Sequence, residues 1–227
     1  MRNLLYNLII NDFTNHCYRN CLNYFPNNAT ILDVGIGNGN MLKTYHPLIK
    51  SKCLKITGID INKIYLKHCI RLIKKNHLED NLTIYHQPIE SFKPPSNESF
   101  DFVLFSMSFM LFKDQPLILE KVKNCLHSDG EIVFFQTMFK ERSLLKDFIK
   151  PKLKYFTTID FGKTIYENDF FSLLERHELT ISQDRTITKG CFNGECRMIV
   201  AGQEKPSYNS TARRSSQCTR NVLWPLI

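Results

Sequence analysis

Ile31-Leu32-Asp33-Val34-Gly35-Ile36-Gly37-Asn38-Gly39-Asn40 joins an apolar, β-branched run to three glycines at every second position, just before a helical pattern. The order predicts a strand, a tight turn and a helix. Glycine suits such a turn twice over: it accepts φ > 0, and without a Cβ it lets a ligand approach the backbone. The N–H groups left unpaired at the start of the following helix then face that ligand.

Working outward, strands and helices alternate. Residues 30–34 form the first strand of this reading and 38–49 the first helix, interrupted near Pro47. Residues 54–60 alternate apolar and polar, a second strand ending in Asp60; residues 63–76 carry apolar side chains at 64, 66, 69, 70 and 73, a helix. A short third strand covers 82–86, and the continuously apolar run 100–107 has the character of a buried parallel strand. Residues 116–126 read as a helix stopping near Ser128-Asp129-Gly130, and 131–136 as a fifth strand. Residues 168–177 are again helical. The runs 179–188 and 197–202 flank Cys191-Phe192-Asn193-Gly194-Glu195-Cys196, where Asn-Gly signals a two-residue hairpin turn. Together these predict an α/β fold: a doubly wound, mostly parallel seven-stranded sheet with helices on both faces and a C-terminal antiparallel hairpin.

The glycine spacing narrows the ligand. A dinucleotide fingerprint is G-x-G-x-x-G, whereas here the third glycine follows the second by two positions and Asn40 takes the dinucleotide slot. The D-x-G-x-G-x-G pattern, with Asp60 closing the next strand, resembles the first two motifs of the class I, Rossmann-like S-adenosylmethionine-dependent methyltransferases. The resemblance spans about residues 20–203 and includes the reversed last strand. It implies that S-adenosyl-L-methionine is the cofactor and methyl transfer the reaction.

By that resemblance Gly35, Gly37 and Gly39 admit the methionine portion, while Asp33 braces the loop or meets the ligand ammonium. Asp60 stands 25 residues after Gly35, where a carboxylate accepts hydrogen bonds from ribose hydroxyls; capping of the next helix is the other reading of the same residue. Ile61 then packs on the adenine. After the third strand the family places an acid for the adenine amino group, but this chain has His86-Gln87-Pro88-Ile89-Glu90. Gln87 offers an amide oxygen or merely solvates the loop; Pro88 has no N–H, so Ile89 or Glu90 must serve the ring. Ser106 lies at the end of the fourth strand, beside the expected methyl group. The absence of Asp-Pro-Pro-Tyr and Asn-Pro-Pro-Tyr there disfavours methylation of adenine N6 or of a glutamine side chain.

The acceptor is sought between the first helix and residues 138–165, with Phe139, Tyr155 and Asp160 as substrate candidates. In-line displacement needs alignment and removal of an acceptor proton rather than a dedicated triad, so no catalytic residue is assigned; His16, His46, His86 and Asp160 are the conceivable bases. A small-molecule acceptor fits a compact domain without an added recognition module. RNA or protein methylation and a non-catalytic S-adenosylmethionine-binding module are the alternatives.

Composition agrees with one domain. The 227 residues are 43% hydrophobic and 23% charged, ordinary for a globular chain, and no run approaches the ~20 apolar residues of a membrane helix. Residues 1–203 are expected to form the domain, with 1–25 a helical cap rather than a signal peptide, and 204–227 a flexible tail or cloning remnant. Lys205, Arg213, Arg214 and Arg220 place half of the +8 net charge in that tail, leaving little to argue for nucleic acid. Eight scattered cysteines suit a reducing, cytoplasmic setting. Cys191 and Cys196 face one another across the expected hairpin, but no further ligands complete a metal site. Oligomeric state has no signature.

Overall fold

The computed structural model describes residues 18–94, 98–143, 162–189 and 194–203. Residues 18–24 are helical (α1). The chain continues through β1 (Thr30–Val34), α2 (Asn40–Ser51), β2 (Lys55–Asp60), α3 (Lys63–Lys75), β3 (Leu82–His86), β4 (Phe100–Ser106), α4 (Gln115–Lys123) and β5 (Leu126–Phe139). It closes with β6 (Ile165–Tyr166), α5 (Glu167–Arg176), β7 (Leu179–Lys189) and β8 (Glu195–Gln203). No described helix is long and apolar enough to cross a membrane.

The sheet order is β3-β2-β1-β4-β5-β8-β7, with β6 paired to β5 off that path. Strands β3 to β5 run parallel, while β8 is antiparallel to both β5 and β7. The expected seven-stranded sheet is therefore present, with the two-residue β6 added. Successive residues of β1 feed opposite faces, as strand geometry requires. Ile31 joins the core under α2 and α3, containing Leu42, Ile49, Leu66 and Cys69; Leu32 joins the core under α4 and α5, containing Leu119, Phe134, Phe170 and Leu174. In the second layer Phe105 stacks on Phe134 at 5.4 Å, with Phe109 and Phe170 set edge-on.

Strand order reverses between β1 and β4, so their carboxyl ends open the crevice where doubly wound sheets hold ligands. Asp33, the glycines and Ser106 all sit at that switch point.

Several local expectations are corrected. α2 runs unbroken through Pro47, which removes only the N–H that would reach the Lys43 carbonyl one turn earlier. Ser128-Asp129-Gly130 does not end a helix: α4 stops at Lys123, and β5 begins at Leu126 because Leu126 pairs with Phe100. A register shift in that pairing accommodates Gly130, whose added Cβ would stand 3.0 Å from the Phe100 carbonyl oxygen. The two-residue Asn193-Gly194 turn is also overturned. Lys189 pairs with Glu195 and Thr188 with Cys196, so five residues connect the strands and Cys196 faces Thr188, not Cys191. An irregularity between Thr186 and Thr188 sets that register. Residues 1–17 of the cap, the tail 204–227, and most of the 138–165 segment lie outside the described residues.

Candidate active site

The turn after β1 is built on left-handed backbone. Gly35, Gly37 and Gly39 have φ of 83°, 62° and 73°. Only glycine adopts this region without cost, which explains three of them in five residues. Their surroundings differ. A Cβ on Gly35 would meet Ser108 Cβ at 2.7 Å, and one on Gly39 would meet Cys69 Sγ at 2.9 Å; Gly37 has open space. Gly35 and Gly39 are thus fixed by packing as well as by dihedral angle, while Gly37 faces the crevice.

β2 holds this turn in place. Gly35 and Ile36 donate their N–H groups to the Ile59 carbonyl at 2.8 and 3.2 Å, and Gly37 donates to Asp60 Oδ2 at 2.9 Å. Asp60 Oδ1 accepts the Asn62 N–H at 2.7 Å. Asn62, not Asp60, caps α3, its Oδ1 accepting from Ile64 and Tyr65. That removes the capping reading of Asp60: its carboxylate serves the glycine turn, and each oxygen keeps a second lone pair.

Asp33 is buried to 2% exposure beneath the turn, and its Oδ1 has no hydrogen-bond partner among the described residues. Burial, reinforced by the negative charge of Asp60, pushes its carboxyl up to about 7. A buried carboxylate oxygen in this position is an acceptor awaiting a donor or a cation. Ser106 Oγ, at the carboxyl end of β4, is likewise buried and unpartnered. The next residue, Met107, takes φ of 56°, which non-glycine residues rarely adopt, while its N–H donates to the Phe135 carbonyl at 2.8 Å. Ser108 Oγ donates to the Val34 carbonyl and closes the β1–β4 junction behind Gly35.

Ile61 is 72% exposed directly beside Asp60, an apolar surface uncovered at the crevice mouth. Gln87 is exposed on the loop after β3. Ile89 instead buries its side chain in the second core, leaving only its backbone for any ligand. Phe139 is buried at the end of β5, within 2.8 Å of where a Cβ on Gly194 would lie, so it is packed beneath the last hairpin. Tyr155, Asp160 and His16 lie outside the described residues. His46 is engaged with its own helix, and His86 Nε2 with the Ile61 carbonyl at 3.0 Å on the side of β2, away from β5.

Sequence reasoning missed the supporting residues. His68 Nδ1 lies 2.8 Å from the Asn38 carbonyl, and Cys69 packs against Gly39, so α3 buttresses the turn. Asn62 has a local signal, an asparagine directly ahead of a helical period; the others have none, because contacts of α3 with a loop 30 residues earlier leave no local pattern.

The methyltransferase domain family matches residues 26–195. A ubiquinone/menaquinone biosynthesis C-methyltransferase of Wigglesworthia glossinidia brevipalpis is 29% identical over 106 residues, 47% of this chain and 42% of that protein. The chain spans less than half the length of the curated relatives it matches. Among solved structures, a SAM-dependent methyltransferase from Aquifex aeolicus superposes with a TM-score of 0.59 at 18% identity, over 78% of this chain and 82% of that one. Mitomycin 7-O-methyltransferase superposes with a TM-score of 0.64 at 17% identity, over 84% and 54%. The chain belongs to the methyltransferase domain family and has the Rossmann-like fold of the class I S-adenosylmethionine-dependent enzymes.

Proposed function

We propose that this chain binds S-adenosyl-L-methionine in the β1–β4 crevice and transfers its methyl group to a small-molecule acceptor. The observation that carries the reading is the turn itself: three positive-φ glycines whose Gly37 N–H is held by Asp60, above an unpartnered buried Asp33 oxygen. The residues fit the cofactor group by group. Gly35, Gly37 and Gly39 admit the methionine portion, and Asp33 Oδ1 answers an ammonium. Asp60 accepts from the ribose hydroxyls, Ile61 covers the adenine, and Gln87 and the Ile89 backbone serve its edge. Ser106 borders the reacting group.

Bound there, the cofactor supplies an electrophilic methyl carbon on a sulfonium, open to in-line displacement. The chain's own work is alignment and exclusion of water, which for oriented reactants accounts for a large share of a displacement barrier. No base is assigned among the described residues. On the acceptor side, Gln136 lies three residues before the end of β5, fully buried, with neither amide atom partnered among the described residues. It supplies one donor face and one acceptor there, on the strand face it shares with Phe134 and Met138.

A small acceptor is supported by the names of similar proteins, which refer to mitomycin and to quinone biosynthesis. The test is transfer of labelled methyl from the cofactor into extracts separated into small-molecule, RNA and protein fractions. Label in the small-molecule fraction is expected; label confined to RNA or protein would overturn the acceptor class.

A further inference from the structure

Large apolar side chains left in solvent are concentrated on one edge. Ile61 and Ile64 are 72% and 77% exposed and Tyr65 is 40% exposed, all in the segment leaving the carboxyl end of β2. Leu111 and Leu117, about half exposed, follow the carboxyl end of β4 on the same edge. Exposed aliphatic groups scattered singly need no explanation, whereas a cluster bordering a crevice marks a contact surface.

The same corner is strongly basic. Between residues 34 and 78 the sole acid is Asp60, while α3 carries Lys63, Lys67, Arg71, Lys74 and Lys75. At 3.6 residues per turn, Lys63, Lys67, Arg71 and Lys74 fall within a sector of about 80°, with Ile64 at its border. None of the four has an acidic partner among the described residues. Like charges four residues apart disfavour a helix by roughly 0.2–0.5 kcal/mol per pair. α3 tolerates several such pairs on a face that its own chain does not neutralise.

We infer that the outer face of the first turns of α3, with the adjoining crevice rim, docks on an anionic lipid bilayer. Lysine and arginine match the headgroup charge, and Ile64 and Tyr65 enter the boundary of the acyl region, while Ile61 stays at the crevice mouth. A nucleic acid would answer the charge but not the exposed aliphatic groups Ile64, Leu111 and Leu117, since base recognition on such surfaces uses aromatic stacking and cation–π contacts. Docking in this orientation turns the crevice mouth toward the bilayer, and an acceptor dissolved in lipid then reaches the site without crossing water. That last step rests on the methyl-transfer reading; the docking itself does not.

The test is sedimentation of the full chain with vesicles of phosphatidylcholine, alone or mixed with phosphatidylglycerol. The wild type should sediment with the mixed vesicles only, and less so as salt rises. Lys63→Gln/Lys67→Gln/Arg71→Gln should lower partitioning about a hundredfold, and Ile64→Ser about tenfold. Thermal melts of both variants establish that they remain folded. The inference is overturned if mixed vesicles leave the wild type in solution, or if the charge variant sediments equally well. It is also overturned if single-stranded RNA binds through the same residues while vesicles do not. No cofactor or turnover is needed, so this outcome is separate from that of the labelling experiment.

Discussion

Asp60 Oδ2 accepts the Gly37 N–H at 2.9 Å while its Oδ1 accepts the Asn62 N–H at 2.7 Å, so one carboxylate joins the glycine turn to the start of α3. Removing it deprives two backbone donors and, in the proposed complex, the ribose hydroxyls. Hydrogen bonds to charged groups contribute about 1.5–3 kcal/mol each. Asp60→Ala should therefore weaken binding of S-adenosylmethionine at least tenfold in calorimetry, with about 2 kcal/mol lost in denaturant unfolding. Asp60→Asn, which keeps an amide acceptor for Gly37, should recover most of the stability and less of the affinity.

Gly35 and Gly37 should respond differently to alanine. Gly35→Ala adds a Cβ 2.7 Å from Ser108 Cβ to the strain of φ 83°, and stability should fall by about 3 kcal/mol. Gly37→Ala carries the dihedral strain alone, roughly 1–2 kcal/mol, but places a methyl group where the ligand approaches. Unfolding curves and calorimetry on both variants separate the roles: Gly35→Ala lowers stability most, and Gly37→Ala lowers affinity most relative to its loss of stability.

Asp33 gives a pH dependence with a definite sign. Its folded carboxyl titrates at about 7 against an ordinary 3.8, so between those values the native state holds a proton that the unfolded state has released. The unliganded protein should lose stability as pH rises through that window, by up to about 1.4 kcal/mol per unit, and Asp33→Asn should abolish this component. Binding of a ligand bearing an ammonium should conversely tighten as pH rises through about 7, where Asp33 becomes charged. Methylthioadenosine, which has no ammonium, should show no such trend.

Arg197 is 7% exposed on β8, paired with Asp184 on β7 and with Glu167 on α5 at 2.7 Å, and it lies over the Phe171 ring. It fastens α5 to the antiparallel end of the sheet. Arg197→Leu leaves two carboxylates side by side at a partly buried site, and should cost about 3 kcal/mol by denaturant unfolding.

Gln136 separates folding from acceptor recognition. Its two unpartnered amide atoms make the buried side chain costly, so Gln136→Leu should leave stability unchanged or raise it by about 1 kcal/mol. If Gln136 meets the acceptor, the same variant raises the acceptor KM with little change in cofactor affinity.

The parallel half of the fold was legible because its signals are local. β1 and β3 have the bounds their β-branched runs predict, and α3 ends within one residue of its apolar period. The glycine turn was equally legible, since positive φ three times in five residues requires glycine. What escaped was set by distant pairing. β5 extends back to Leu126 because β4 lies beside it, and Cys196 faces Thr188 because β7 is irregular near Ile187. The role of Asp60 was readable only as two alternatives, and the Asn62 cap removed one of them. Phe139 was read as substrate-facing, yet its side chain is buried in packing that no periodicity announces.

In the proposed complex the Gly35–Gly39 turn and Asp60 together hold an adenosyl ligand. Titration calorimetry of the full chain with S-adenosylmethionine and with its demethylated product tests it directly, using Asp60→Ala as the control. Both ligands should bind the wild type with dissociation constants on the order of micromolar, and both should weaken at least tenfold in the variant. A folded wild-type sample that binds neither ligand, or a variant that binds them undiminished, would contradict it.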